Sequence, residues 1–300
     1  MSWQPILTIL LSGSLTAAAQ PLYEAAPLTA AGSFTAGIEG PACDAEGTLY
    51  AVNYQRQGTI GRVTPGGEAT VFVTLPVGSV GNGIRFDSQG MMYVADYKKH
   101  NVLRVDMETK KVSVFAHDQQ FHQPNDLAVA PDDTLYASDP SWQEGTGRVW
   151  RIDRQGQVNL AAAEMGTTNG IEVSPDGSTL YVNETRQRKL WAFRIAADGS
   201  LAEKRRLTQF PDHGTDGMRC DVAGNLYVTR YGKGTVAVIS PAGRMLREIV
   251  LPGARPSNLC FGGADGCTVY VTEVERRQIV SFRAEMPGAA WQRWHTDRQP

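Results

Sequence analysis

Residues 82–97 read NGIRFDSQGMMYVADY. Ile84 and Phe86 alternate with Arg85, Asp87-Ser88-Gln89-Gly90 supplies a tight turn, and alternation resumes through Tyr93, Val94 and Ala95. Period-two patterning on both sides of a turn rich in Asp and Gly predicts an antiparallel hairpin. The pattern recurs along the chain as GPACDAEGTLYAVNY, NDLAVAPDDTLYASDP, NGIEVSPDGSTLYVNET, DGMRCDVAGNLYVTRY and SNLCFGGADGCTVYVTEV. Its tyrosines are Tyr50, Tyr93, Tyr136, Tyr181, Tyr227 and Tyr270, spaced by 43, 43, 45, 46 and 43 residues. A unit of that length, each with further alternating segments behind the hairpin, is one four-stranded blade of a β-propeller. The expected fold is all-β: a six-bladed β-propeller with four antiparallel strands per blade.

Six such units nearly fill the 300 residues. One domain over residues 20–300 is therefore expected, rather than the two that length alone suggests. A strand near Leu22–Leu28 or one near Trp291–Trp294 closes the ring; the pattern leaves both open. The chain is 42 % hydrophobic and 20 % charged, enough apolar material for a packed core. Its net charge of −2 argues against a broad nucleic-acid surface. Residues 1–19 form an expected signal peptide, with an apolar run from Pro5 to Leu15 ending at Ala17-Ala18-Ala19, so that the mature chain begins near Gln20 in the periplasm or outside the cell. That run is too short to span a membrane, and no other segment reads as a span. Cys43 and Cys220 share a repeat position and read as buried thiols. Cys260 and Cys267 flank one turn, where a disulfide or two free thiols both fit.

Eleven or twelve residues before each tyrosine stands an acid or an amide: Glu39, Asn82, Asn125, Asn169, Asp216 and Asn258. These positions open the innermost strand of every blade, so six oxygen-bearing side chains should converge at one mouth of the central channel. A single Asn there could simply cap its strand. Two carboxylates in a ring of amides repel each other unless a cation lies between them. Carboxylate and amide oxygens suit a hard divalent cation, Ca²⁺ above all, and the absence of His and Cys argues against a typical zinc site. Three residues after each tyrosine lies a second polar set, Asn53, Asp96, Asp139, Glu184, Arg230 and Glu273, expected near the same mouth. The loops there carry Tyr54, Tyr97, Phe121, His122, Trp142, His213 and Tyr231, and the insertion Ser141–Gly147 is expected to form part of a lid. Asn82, Asn125, His122, Gln123, Asp139, Trp142 and Arg230 are the expected substrate-binding residues.

With Glu39-Gly40-Pro41, Pro124-Asn125-Asp126, Ser138-Asp139-Pro140, Thr168-Asn169-Gly170 and Thr215-Asp216-Gly217 in this order, the chain resembles the family of senescence marker protein, gluconolactonase and luciferin-regenerating enzyme from about Phe34 to Trp291. The resemblance implies one divalent metal, calcium by preference with Mg²⁺, Mn²⁺ or Zn²⁺ as alternatives. Its ligands would be Glu39, Asn125, Asn169 and Asp216, with Asp216 also the acid/base residue. It further implies a monomer acting on a small lactone. Some relatives carry a substrate-contacting arginine where Gln123 stands here, a departure that leaves the metal ligands unchanged. The implied chemistry polarises the lactone carbonyl and activates water through Asp216, with Asp139, Asp96 or His122 as further candidates for the proton. A cation lowers the basicity of a carboxylate bound to it, which is why these are considered. A lyase acting on a cyclic ester, and a non-catalytic propeller that binds a ligand or protein at this mouth, are the other readings. The sequence contains no G-x-S-x-G, H-E-x-x-H, C-x-x-C or P-loop.

Overall fold

A computed structural model describes residues 21–296. The expected export segment, residues 1–19, lies outside them. The described chain forms six antiparallel sheets of four strands. Five are built from consecutive segments, as in the second blade: Gly81–Phe86, Met92–Asp96, Asn101–Val105 and Val112–His117. The hairpin expected at residues 82–97 pairs Ile84 with Val94 and Phe86 with Met92.

The repeat has a local cause at its turn. Asp44, Asp87 and Asp221 each accept backbone N–H bonds from the residues two and four further on. Each thereby fixes the tight connection between the first two strands, the role short acidic side chains take in turns. In the first two blades the second carboxylate oxygen also receives the repeat tyrosine, Tyr50 and Tyr93. The tyrosine can therefore bury its ring without stranding its hydroxyl.

The core is distributed. Each of six apolar clusters joins two neighbouring blades. One packs Tyr50, Ile60 and Val73 of the first blade against Ile84, Val94 and Leu103 of the second. Another packs Ile38, Leu49 and Val63 of the first against Cys260, Tyr270 and Ile279 of the last. A blade alone exposes both faces, so the ring is stable only when closed.

Closure comes from the N-terminal side. Ala26–Pro27 pairs with Gln278–Arg283 and becomes the outer strand of the sixth blade. Of the two segments open at the sequence level, the one within Leu22–Leu28 completes the ring. Trp291–Trp294 instead belongs to an eight-residue helix, Ala289–Thr296. That helix lies over the channel mouth opposite the ring of polar residues, beside the far ends of the inner strands at Cys43, Phe86 and Cys220. It is too short to cross a membrane.

The four cysteines are unbonded. Cys260 pairs in register with Tyr270, while Cys267 lies in the turn beyond the last pair, Gly262 with Thr268. The two therefore do not face each other across the hairpin, and Cys260 points toward Cys43 of the first blade, 3.8 Å away between sulfurs.

Candidate metal centre

The residue after each ring position is glycine in four blades: Gly40, Gly83, Gly170 and Gly217. The inner strands approach so closely around the channel that a Cβ on Gly40, whose φ is +53°, would lie 1.9 Å from the Asn82 carbonyl oxygen. A Cβ on Gly83 would lie 2.3 Å from Asp126 Oδ1. The missing side chains let six strands converge, and that convergence brings the preceding acids and amides to one place.

A cavity of about 290 Å³ opens at this mouth. Glu39, Asn82, Asn125, Asn169 and Asp216 line it, with Tyr97, Lys98, Trp142 and Tyr231 among its walls. All four expected ligands are thus brought together, as are Asn82 and Trp142. The four ligands and Asn82 are held in place. Asn169 Nδ2 donates to Thr185 Oγ1 at 3.0 Å, and Thr185 Oγ1 donates onward to the Thr215 carbonyl. Asn82 Nδ2 donates to the Asn125 carbonyl at 2.9 Å. Glu39 Oε2 accepts from the Gly40 N–H and from Asn258 Nδ2. Asn183 Nδ2 donates to the Asp216 carbonyl and anchors that backbone.

The decisive feature is what has no partner. Asn125 Oδ1 and Asn169 Oδ1 are buried and accept no hydrogen bond. Leaving a buried amide oxygen unsatisfied costs about 1–3 kcal/mol, and two of them share a cavity with two carboxylates. Burial pushes the Glu39 carboxyl up to about 7, helped by the charge of Asp126. Burial and the nearby Glu39 raise Asp216 well above the usual carboxylate range. Two carboxylates and two amide oxygens, all short of positive partners, are a hard-cation donor set. Among the described residues no three His, Cys, Asp or Glu side chains cluster as a metal site. A cation here must therefore lean on the amide oxygens.

The second polar set does something else. Asp139 accepts the His122 and Gln123 backbone N–H groups and Trp150 Nε1. Asp96 accepts from Ser79, Val80 and Lys99. Glu184 takes the Gly166 N–H and Glu273 takes those of Arg255, Glu275 and Arg276. Asn53 spans Gly37 and Gly58. The four acids each tie down the loop that enters their own blade and position the ring without lining its cavity, whereas Asn53, bonded within its own blade, does line it. Asp139, His122 and Gln123, expected at the substrate, do not line the cavity. Neither does Arg230, which is 1 % exposed. At the end of strand Leu226–Arg230, it donates to Asp212 and lies 3.8 Å above the Phe210 ring, both in the loop that enters its blade. Of the expected aromatic wall, Tyr97, Trp142 and Tyr231 are at the cavity, whereas Tyr54 and Phe121 pack into the core against Phe34 and Trp150.

Beneath the ring lies a buried ionic cluster that the sequence reading did not single out. Asp126, fully buried, accepts from Arg85 Nη1 at 3.0 Å and Arg219 Nη1 at 3.1 Å, and Glu172 stands 3.9 Å from both guanidinium groups. Despite the opposing cost of burial, the two arginines hold Asp126 below the usual range. Asn258, the sixth ring residue, stands between: its Nδ2 reaches Glu39 and, at 3.4 Å, Asp126. The signal was present in the repeat. Three residues after the ring position, where Ala42, Ala128 and Phe261 stand in the other blades, these three blades carry Arg85, Glu172 and Arg219. Asp126→Asn leaves two buried cations with one counter-charge between them. It should destabilise the fold by about 3–5 kcal/mol in urea unfolding.

Three comparisons bear on this site. The model of the SMP-30/gluconolactonase/LRE-like region matches residues 37–275. A gluconolactonase of Zymomonas mobilis is 27 % identical over 216 residues, 64 % of this chain and 60 % of that protein. A 6-deoxy-6-sulfogluconolactonase of Pseudomonas putida is 28 % identical over 169 residues, 54 % of this chain and 58 % of that one. The matches thus span about 60 % of the length of these two relatives. Among solved structures, a calcium-binding regucalcin of Agrobacterium tumefaciens superposes with a TM-score of 0.73 at 20 % identity, over 90 % of this chain and 95 % of that one. At that identity the likeness speaks for the six-bladed fold.

Proposed function

The chain belongs to the SMP-30/gluconolactonase/LRE-like family, and from that premise we propose that it hydrolyses a lactone at the mouth formed by Glu39, Asn125, Asn169 and Asp216, around one divalent cation, calcium by preference. The lactonase names of the relatives and the calcium-binding name of the structural neighbour support this reading. The observation that carries it is the pair of unpartnered amide oxygens, Asn125 Oδ1 and Asn169 Oδ1, in one cavity with two buried carboxylates.

A cation held there supplies Lewis acidity to the lactone carbonyl and offsets the negative charge that develops on its oxygen. The protein residues have separable roles. Glu39 has both its protein bonds on Oε2 and serves as a ligand. Asp216 is the general base, taking a proton from the attacking water and returning it to the ring oxygen as the ester C–O bond breaks. Asp139 and Asp96 are poor substitutes, because backbone N–H and other donors already occupy their oxygens. Tyr97, Trp142 and Tyr231 give the lactone an apolar wall and keep bulk water from the reacting carbon. The product is a hydroxy acid, in balance with one water consumed. The apolar run before Ala17-Ala18-Ala19 supports export as the route to its place of work.

The test is acid release from a panel of five- and six-membered lactones in calcium, followed with a pH indicator. At least one should open well above the spontaneous rate. Protein shown by calorimetry to bind calcium, yet inert toward every lactone, would overturn the proposal in favour of a binding propeller.

A further inference from the structure

We propose that Cys43 and Cys260 form a disulfide that clasps the first blade to the last. Cys43 ends the inner strand Phe34–Cys43 of the first blade, and Cys260 lies within the inner strand Pro256–Gly262 of the sixth. Their sulfurs are 3.8 Å apart although 217 residues separate them in sequence. A bonded pair sits about 2.05 Å apart, so side-chain rotation has a short gap to close.

The surroundings are shaped for the contact. Gly262 shares a strand face with Cys260, and a Cβ there would lie 2.3 Å from Cys43 Sγ. The glycine thus opens the notch into which the Cys43 thiol fits. The other two cysteines are engaged elsewhere, Cys220 Sγ with the Val173 carbonyl and Cys267 Sγ with the Asp265 carbonyl. Both Cys43 and Cys260 border a small cavity of about 60 Å³ beneath the C-terminal helix, at Trp291 and Trp294.

The location gives the bond a purpose. Besides the apolar packing of the first blade on the last, the seam rests at its outer edge on a two-residue strand, Ala26–Pro27. A Cys43–Cys260 bond would fasten the same seam at its inner edge and close a very long loop in the unfolded chain, where cross-links have their largest entropic effect. The reaction is exchange with a low-molecular-weight disulfide such as oxidised glutathione. One cysteine thiolate attacks it, releasing one reduced glutathione. The second cysteine then attacks the mixed disulfide, releasing another, so two thiols are oxidised while one disulfide is reduced. Each sulfur's closeness to the other, together with burial, raises the Cys43 thiol.

The experiment refolds the full chain from urea in a glutathione redox buffer, alkylates remaining thiols in denaturant, and maps peptides without reduction. The expected map has one link, Cys43 to Cys260, with Cys220 and Cys267 alkylated. Reductant should then lower the Tm of the oxidised protein by about 5–10 °C. Cys43→Ser should abolish that reductant-sensitive shift, and the wild-type comparison stands alone if the variant does not fold. Four alkylated thiols, a Cys260–Cys267 link, or a Tm indifferent to reductant in linked protein would each overturn the proposal.

Discussion

Asp216→Asn, folded and supplied with calcium, should open its lactone about 10³-fold more slowly than the parent chain. The substitution keeps the shape of the side chain and one oxygen donor, so the cation is weakened but retained. What it removes is the ability to take a proton. A positioned general base contributes roughly 10²–10⁴-fold, and no other carboxylate at this mouth is placed to replace it. Glu39 is held by the Gly40 N–H and Asn258, and Asp139 by three N–H donors. At saturating calcium the loss should therefore fall on kcat, with KM little changed. A variant that lost calcium affinity but kept kcat when saturated would reduce Asp216 to a ligand alone.

The second large effect couples cation, proton and stability. Without a cation, Glu39 in the folded protein keeps its proton up to about pH 7, against an ordinary value of 4.5. Between those two values the folded state holds more protons than the unfolded one, so stability falls as pH rises through that window. Glu39 accounts for about 3 kcal/mol of this decline, and Asp216, raised as well, adds to it. Calcium held as proposed would compete with those protons. Its binding should release up to two of them and tighten by about ten- to a hundredfold per pH unit across the window. At 100 times its Kd calcium adds about 2.7 kcal/mol. Thermal scans with calcium or chelator at pH 5, 6, 7 and 8 should show a calcium-dependent rise in Tm that is large at pH 8 and nearly absent at pH 5. An equal rise at both pH values would mean that the cation binds elsewhere.

The blade count and the ring were legible because both rest on periodicity. Tyr50 to Tyr270 mark the blades, and a fixed distance before them marks Glu39 to Asn258. Residue type at a repeat position does not, however, reveal what a polar atom faces. Asp139 and Arg230 occupy equivalent positions near the mouth, yet the path of each incoming loop engages one with backbone N–H groups and turns the other onto Phe210. Asp126 was visible as part of a motif, but its task depends on Gly83 leaving room beside it and on arginines from two other blades. Nearness in sequence left Cys260 and Cys267 open between a bond and two free thiols; the register decides for free thiols, with Cys260 turned toward the adjacent blade. The C-terminal helix is only eight residues long and carries too little periodicity to be seen beforehand.

The most direct measurement is the rate of lactone opening by protein stripped with chelator, before and after calcium is restored, at pH 7.5. The account predicts a rate near background in the stripped protein and full recovery on adding calcium, with Glu39→Gln recovering only at much higher calcium. Undiminished turnover in the chelator-treated protein, shown by elemental analysis to be metal-free, would contradict it.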